Sequence, residues 1–214
     1  MKTGIIFDLD GTLWNAVEPI TESWNEVMRR HDFELRITSE ELMQQQGKVM
    51  TEIADNLFTH LPKEKRYDLM DECCVYENEY LSVHGGKLYD GVENVFEILS
   101  EKYNVFIVSN CQKGYIETFI KYFGFEKYIS DIEDAGNTGL PKSENIKLVV
   151  KRNHLDKAFY VGDTLGDMNS SDEAEVTFIH ASYGFGKVPK DRLKIKDIKE
   201  LPAFIAKQLE KDNI

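Results

Sequence analysis

Residues 7–15 read FDLDGTLWN. They close the apolar run GIIFD at 4–8, which is short, β-branched and free of polar breaks. Such a run reads as a strand buried on both faces, the usual setting of a parallel sheet. Side chains alternate along a strand, so Asp8 and Asp10 are expected on the same side of it. Gly11 then lets the backbone turn at the carboxyl end of the strand, where open α/β sheets collect their ligands. Two neighbouring carboxylates repel each other unless a cation or a shared proton intervenes, so the pair suggests a metal site, an acid/base pair, or both.

Working outward, similar runs recur at 104–110 (NVFIVSN), 158–163 (AFYVGD) and 176–180 (VTFIH), with a weaker one at 128–132 (YISDI). Helical stripes lie between them: Val92, Val95, Phe96 and Leu99; Tyr115, Ile116, Phe119, Ile120 and Phe123; and Ile146, Leu148, Val149 and Val150, with Ser143 as the expected N-cap. Strands alternating with helices imply an α/β fold, a Rossmann-like doubly wound parallel sheet. Residues 15–84 break the alternation. There Ile20, Trp24, Val27, Met28 and His31 form one helical stripe, and Thr38 with Glu41 forms a capping box. Helices are also expected at 51–58 and 63–83. The reading is therefore a catalytic core of 1–14 and 85–214 with an inserted all-helical cap of 15–84. The linkers 11–17 and 84–91 would be its hinges, the second carrying HGGKLYDG.

The chain has 214 residues, enough for a core domain with a smaller insert, and a formal net charge of −12. That charge argues against nucleic acid and anionic membrane surfaces as partners. No run is long enough for a membrane span or a signal peptide. Three cysteines, Cys73, Cys74 and Cys111, make a poor disulfide framework, so a reducing cytoplasm is the expected setting. The run 187–199 is mildly basic and reads as solvated surface.

Chemistry-bearing residues gather at strand ends and helix starts. Ser109 and Asn110 end the second strand, Lys142 opens a helix, and GDTLGD at 162–167 places Asp163 and Asp167 after a third strand. The available metal ligands are oxygens, which suit Mg²⁺ better than zinc, and the five histidines show no zinc spacing.

With DLDGT at 8–12, VSN at 108–110, Lys142 and GDTLGD in that order, the sequence resembles the haloacid dehalogenase-like superfamily. It is most similar to the phosphatase branch with a helical cap after the first strand, the phosphoglycolate phosphatase and β-phosphoglucomutase-like group. The resemblance implies Mg²⁺-dependent hydrolysis of a small phosphorylated metabolite through an aspartyl-phosphate. It makes Asp8 the nucleophile and Asp10 the acid and then the base. Ser109, Asn110 and Lys142 would hold the phosphoryl oxygens. Asp8, the Asp10 carbonyl, Asp163 and Asp167 would hold or flank Mg²⁺, and Thr12 would orient Asp10 or its loop. A phosphosugar mutase is the enzymatic alternative, and a non-catalytic binder of phosphometabolites the other. The sequence departs from the family where Ser143 follows the lysine in place of proline, and at Trp14 and Asn15 after the first motif. In the cap, the joint at 44–52 offers Gln46, Lys48 and Met50 as specificity residues. Trp24, Cys73 and Cys74 read as packing, and Cys111 as packing ahead of redox sensing.

Overall fold

The computed structural model describes residues 1–211. The chain begins with β1 (Thr3–Phe7) and passes through the short β2 (Trp14–Asn15) into four helices, α1 (Val17–Arg30), α2 (Ser39–Met43), α3 (Met50–Leu57) and α4 (Lys63–His84). It returns through β3 (Lys87–Leu88) to α5 (Val92–Ser100), β4 (Asn104–Ser109), α6 (Tyr115–Phe123), β5 (Ile129–Asp134) and α7 (Ala135–Thr138). It ends with α8 (Lys142–Arg152), β6 (Lys157–Gly162), α9 (Leu165–Glu173), β7 (Thr177–Ala181), β8 (Lys194–Ile195) and α10 (Leu201–Lys211).

Six strands form one sheet in the order β5-β4-β1-β6-β7-β8, and every pairing in it is parallel. The chain winds outward from β1 in both directions, so this is the expected doubly wound α/β sheet with its switch point between β1 and β6. The period of two along the central strands sorts their side chains into two cores. Ile5, Phe7, Val105, Ile107, Phe159 and Val161 share one, with α5 and α6. Ile6, Phe106, Val108 and Tyr160 belong to the other, with Ile146 and Val149 of α8 and Met168 of α9. Burial on both faces is why these strands read as unbroken apolar runs.

Local differences from expectation have local causes. The helix of Lys142 is capped by Pro141, so Ser143 lies inside the helix and is not its N-cap. Proline suits that edge because its missing N–H has no partner to lose. Leu148 is exposed, off the core stripe. His31 caps the end of α1 and is exposed, while Ile20, Trp24, Val27 and Met28 of the same stripe are buried. Three strands went unread, β2, β3 and β8, each only two residues long.

Among the insert helices, α1 packs along α4, α3 packs on α4, and α4 packs against α6 of the sheet layer. The Thr38 box forms as expected: Thr38 Oγ1 accepts from Glu41 N at 3.2 Å and Glu41 Oε2 accepts from Thr38 N at 2.9 Å, a cap worth about 1 kcal/mol. The segments entering and leaving the insert are tied together, because β2 and β3 pair antiparallel, Trp14 opposite Leu88 and Asn15 opposite Lys87. Trp14 then packs edge-on to Tyr115 and Phe119, with ring centroids 5.6 and 5.1 Å away. No described helix is long and apolar enough to cross a membrane.

Candidate active site

Asp8 follows β1, Ser109 ends β4 and Asp163 follows β6. Because β1 lies between β4 and β6, the three strand ends are neighbours. Lys142 opens α8 and Asp167 lies in the first turn of α9, so both helix starts face the same crevice. Asp8, Ser109, Lys142, Asp163 and Asp167 are all buried.

Lys142 Nζ donates to Asp8 Oδ1 at 2.9 Å and to Asp167 Oδ1 at 2.6 Å. The other oxygen of Asp167 accepts from Thr164 N at 2.9 Å and Thr164 Oγ1 at 2.6 Å, a capping box that anchors the carboxylate to α9. Asp163 Oδ2 accepts from the backbone N–H groups of Phe185 and Gly186 at 2.7 and 3.2 Å. Carboxylate oxygens of Asp8, Asp163 and Asp167 all lie within 4.8 Å of one another. Three buried carboxylates thus lie together with one ammonium, which pairs with Asp8 and Asp167. Burial, helped by the charge of Asp167, pushes Asp8 and Asp163 up to about 7. Burial works against the charge of Lys142, yet Asp167 and Asp8 hold its pKa well above the ordinary lysine value. A cluster with this excess of negative charge and an all-oxygen donor set fits a hard divalent cation.

Asp8 and Asp10 line one cleft, but their carboxylates are held from different helix layers. Ladder pairing stops at Phe7, and Leu9 O accepts from Leu13 N at 2.8 Å in a turn, so the period of two ends before Asp10. Asp8 reaches Lys142, whereas Asp10 Oδ1 accepts from Tyr115 Oη at 2.8 Å, from the helix layer on the other core. Burial pushes Asp10 up to about 7, the Tyr115 hydrogen bond opposes this, and the charge of Asp8 adds to it. Asp10's carboxyl lies outside the three-aspartate cluster. The Thr12 hydroxyl donates to Asp163 at 3.3 Å, so it acts on the loop after β1, tying it to the end of β6, and not on the Asp10 carboxylate directly.

The insert closes the cleft from above. Gln46, Lys48 and Met50 line it beside Asp8, Asp10 and Ser109. Asn110 Nδ2 donates to Gly47 O at 2.8 Å, linking core to insert. Lys48 donates to Gln45 Oε1 at 3.1 Å and pairs with Glu52 at 3.6 Å. The cavity is only about 40 Å³, room for a few waters. An open groove of about 700 Å³ adjoins it, sharing Met50, Asn110, Cys111 and Gln112. Cys111 is buried and burial pushes its thiol well above the usual range, which fits packing and not a reactive thiolate. Trp24, Cys73 and Cys74 are buried as packing residues.

Four contributors went unread in the sequence. In the sequence Tyr115 shows only as a member of an apolar stripe. Glu77 sits on the buried face of α4 with Met70, Cys73, Cys74 and Leu81, and a glutamate at core spacing was the signal. Gln112 reaches Glu77 at 3.0 Å. Thr164 was legible three residues before Asp167, as in a capping box.

The haloacid dehalogenase-like hydrolase family matches residues 5–181 of this chain. The chain is 26% identical to a phosphoglycolate phosphatase of Rhodobacter capsulatus, covering 96% of this chain and 97% of that one. Its fold superposes with a TM-score of 0.79 on a predicted phosphatase from Clostridium acetobutylicum, 20% identical, over 97% of this chain and 99% of that one. It superposes with a TM-score of 0.76 on CbbY from Rhodobacter sphaeroides in complex with phosphate, 16% identical, over 94% and 96% of the two chains. The chain belongs to the haloacid dehalogenase-like hydrolase family.

Proposed function

We propose that this haloacid dehalogenase-like hydrolase is a Mg²⁺-dependent phosphatase of small phosphomonoester metabolites, working in the cytoplasm through an aspartyl-phosphate on Asp8. The observation that carries the reading is Asp8 itself: a buried carboxylate at the central strand end, held on one oxygen by Lys142 and lining the same cleft as Asp10. The full-length likeness to the Rhodobacter capsulatus phosphoglycolate phosphatase supports the same chemistry.

In this mechanism Asp8 attacks phosphorus, forming the Asp8–phosphorus bond as the bond to the leaving oxygen breaks. Asp10 gives its proton to that oxygen. Water then attacks the aspartyl-phosphate, loses a proton to Asp10, and the Asp8–phosphorus bond breaks to release phosphate. A poised acid/base group contributes about 10²–10⁴ in rate. The environment of Asp10 suits both steps, since burial favours its protonated form and Tyr115 favours the ionised one. Ser109, Lys142 and the main-chain N–H of Asn110, whose side-chain amide is taken by Gly47 O, hold the phosphoryl oxygens, and Lys142 also removes repulsion between two anions. Asp8 and Asp163, with Asp167 beside them and the Asp10 carbonyl, would hold Mg²⁺, which supplies charge neutralisation at the transferred group. Division into a core of 1–14 and 85–214 and a mobile cap of 15–84 belongs to the proposal, because a cavity of about 40 Å³ must open to admit any metabolite.

Hydrolysis is favoured over a mutase. A mutase holds a second phosphate, and the insert brings one cation to the cleft, Lys48, which is already engaged by Gln45 and Glu52. A binder needs no nucleophile held as Asp8 is. The test is Mg²⁺-dependent phosphate release from a panel of phosphomonoesters beside Asp8→Asn. Release that both the substitution and a chelator abolish supports the reading. A folded, Mg²⁺-supplied protein that hydrolyses nothing in the panel overturns it.

A further inference from the structure

Resting on the phosphatase reading, we propose that the alcohol this enzyme releases bears hydrogen-bond donors, as hydroxyl or ammonium groups, and no carboxylate. Glu77, Gln112 and Asn110 are the residues that select it, by presenting acceptor oxygens to the leaving group.

Glu77 is 3% exposed and lines the cleft beside Asp10 and Tyr115. Its Oε2 accepts from the Trp24 indole N–H at 2.5 Å and its Oε1 from Gln112 Nε2 at 3.0 Å. No lysine or arginine hydrogen-bonds to it among the described residues.

The orientation of both amides follows from their partners. Gln112 Nε2 faces two acceptors, Glu77 Oε1 and Asn78 Oδ1 at 3.2 Å, so it must be the nitrogen. Gln112 Oε1 is then a buried acceptor with no protein donor. Asn110 Nδ2 faces the Gly47 carbonyl, which leaves Asn110 Oδ1 buried and equally without a donor. Buried acceptors are almost always satisfied, so each exception asks for a partner.

Position completes the argument. Asn110 and Gln112 line both the tight cleft over Asp8 and the adjoining groove of about 700 Å³. Both oxygens are themselves fully buried in this closed arrangement, so a departing alcohol reaches them only as the cleft opens to let it out. A hydroxyl or ammonium donor satisfies them. A carboxylate sets oxygen against oxygen and adds negative charge beside Asp8 and Asp10. Burial pushes Glu77 up to about 8 against its two hydrogen bonds. The oxygens of Gln112 and Asn110 accept in either state of Glu77, so the demand for donors does not depend on its proton.

The test measures kcat/KM of the whole protein with Mg²⁺ on four esters. These are para-nitrophenyl phosphate, phosphoglycolate, glycerol 3-phosphate and phosphoethanolamine. The expected result is a preference of at least about tenfold for one of the last two over phosphoglycolate, since a site built around hydrogen bonds discriminates strongly against a ligand that cannot make them. The leader of the pair tells hydroxyl from ammonium. Phosphoglycolate equal or better, with the aryl ester turned over in an Asp8-dependent way, overturns this inference and leaves the phosphatase reading intact. Inactivity on all four, the aryl ester included, removes both. In Gln112→Met, checked for fold by circular dichroism, the loss should fall on KM for the donor-bearing ester and exceed the loss on the aryl ester by about tenfold. Equal losses on every ester overturn the selecting role of Gln112, and the wild-type panel decides the substrate class even if that variant fails to fold.

Discussion

The phenol of Tyr115 donates to Asp10 at 2.8 Å, while the ammonium of Lys142 donates to Asp8 at 2.9 Å. Two carboxylates two positions apart in sequence are therefore held from opposite helix layers by partners of different kinds. The neutral hydroxyl steers Asp10 and leaves it able to keep a proton, whereas the cation favours the ionised form of Asp8, as its proposed role requires.

Tyr115→Phe tests that division. The phenol stabilises the ionised form of Asp10, so its loss raises Asp10 further above about 7. The acid step keeps its proton donor and the base step loses its acceptor. The pH profile of kcat is expected to move upward by about half to one unit, with kcat at pH 7 down about three- to tenfold. An unshifted profile from saturating assays at pH 5.5–9 refutes it.

Lys142→Met removes the ammonium that, among the described residues, alone pairs with the cluster of Asp8, Asp163 and Asp167. Breaking a buried pair costs about 3–5 kcal/mol because the stranded charge stays buried. The metal-free variant should melt well below the wild type, and added Mg²⁺ should recover more of its stability than it adds to the wild type. Activity is expected to fall by about 10³ or more. Thermal melts with and without Mg²⁺ check the first part, and equal Mg²⁺ increments in the two proteins would contradict it.

The cluster also predicts how stability follows pH. Asp8 and Asp163 have folded-state values raised to about 7, chiefly by burial, from 3.8. Between those values the folded chain holds protons that the unfolded chain has released. Metal-free stability should therefore be greatest at the low end and fall as pH rises through about 7. Mg²⁺ needs the ionised carboxylates, so the rise in Tm that it causes should be larger at pH 8 than at pH 6. Calorimetry at the two pH values, with and without Mg²⁺, decides the matter, and a larger rise at pH 6 would sink the prediction.

Gly184 is expected to admit no side chain. A Cβ there would lie 2.3 Å from Asp163 Cβ and 2.4 Å from Gly11 O, pressing on both the end of β6 and the turn after Asp10. Gly184→Ala should displace Asp163 and raise the Mg²⁺ concentration for half-activation about tenfold or more, an outer-support effect of the usual size. A Mg²⁺ titration of activity that overlays the wild type would show that Asp163 has not moved.

The central strands and the residues at their ends were legible because parallel strands buried on both faces cannot hide their composition, and because Asp8, Asp163 and Asp167 are polar where an apolar run stops. The rest was hidden for particular reasons. Strands β2, β3 and β8 are too short to carry a period. The separate anchoring of Asp8 and Asp10 was hidden because the ladder ends at Phe7 and the turn that follows carries no period. Ser143 was misread as a cap because the proline before Lys142 already serves that end. Tyr115 looked like core, and it is core: its ring is buried against Trp14 and only its hydroxyl does polar work. Glu77 was visible as an anomaly on the buried face of α4, but its partners, Trp24 and Gln112, lie 53 and 35 residues away.

The ladder between β2 and β3 has a mechanical consequence. Two independent tethers would let the helical insert slide, shear or twist over the sheet. Here the two tethers are bonded to each other through Trp14–Leu88 and Asn15–Lys87, so the chain connections to the insert form a single strap, beside the packing of α4 on α6. A body on one strap keeps a swinging motion and loses most others. On the proposed motion of the insert, a swing would carry Gly47 and Glu77 away together from Asn110 and Gln112, so the contacts proposed to read the ligand would also be the ones that hold the cleft closed. Lengthening one tether alone would slip the strap by a residue and re-aim the whole lid, whereas matched insertions on both sides would preserve its aim.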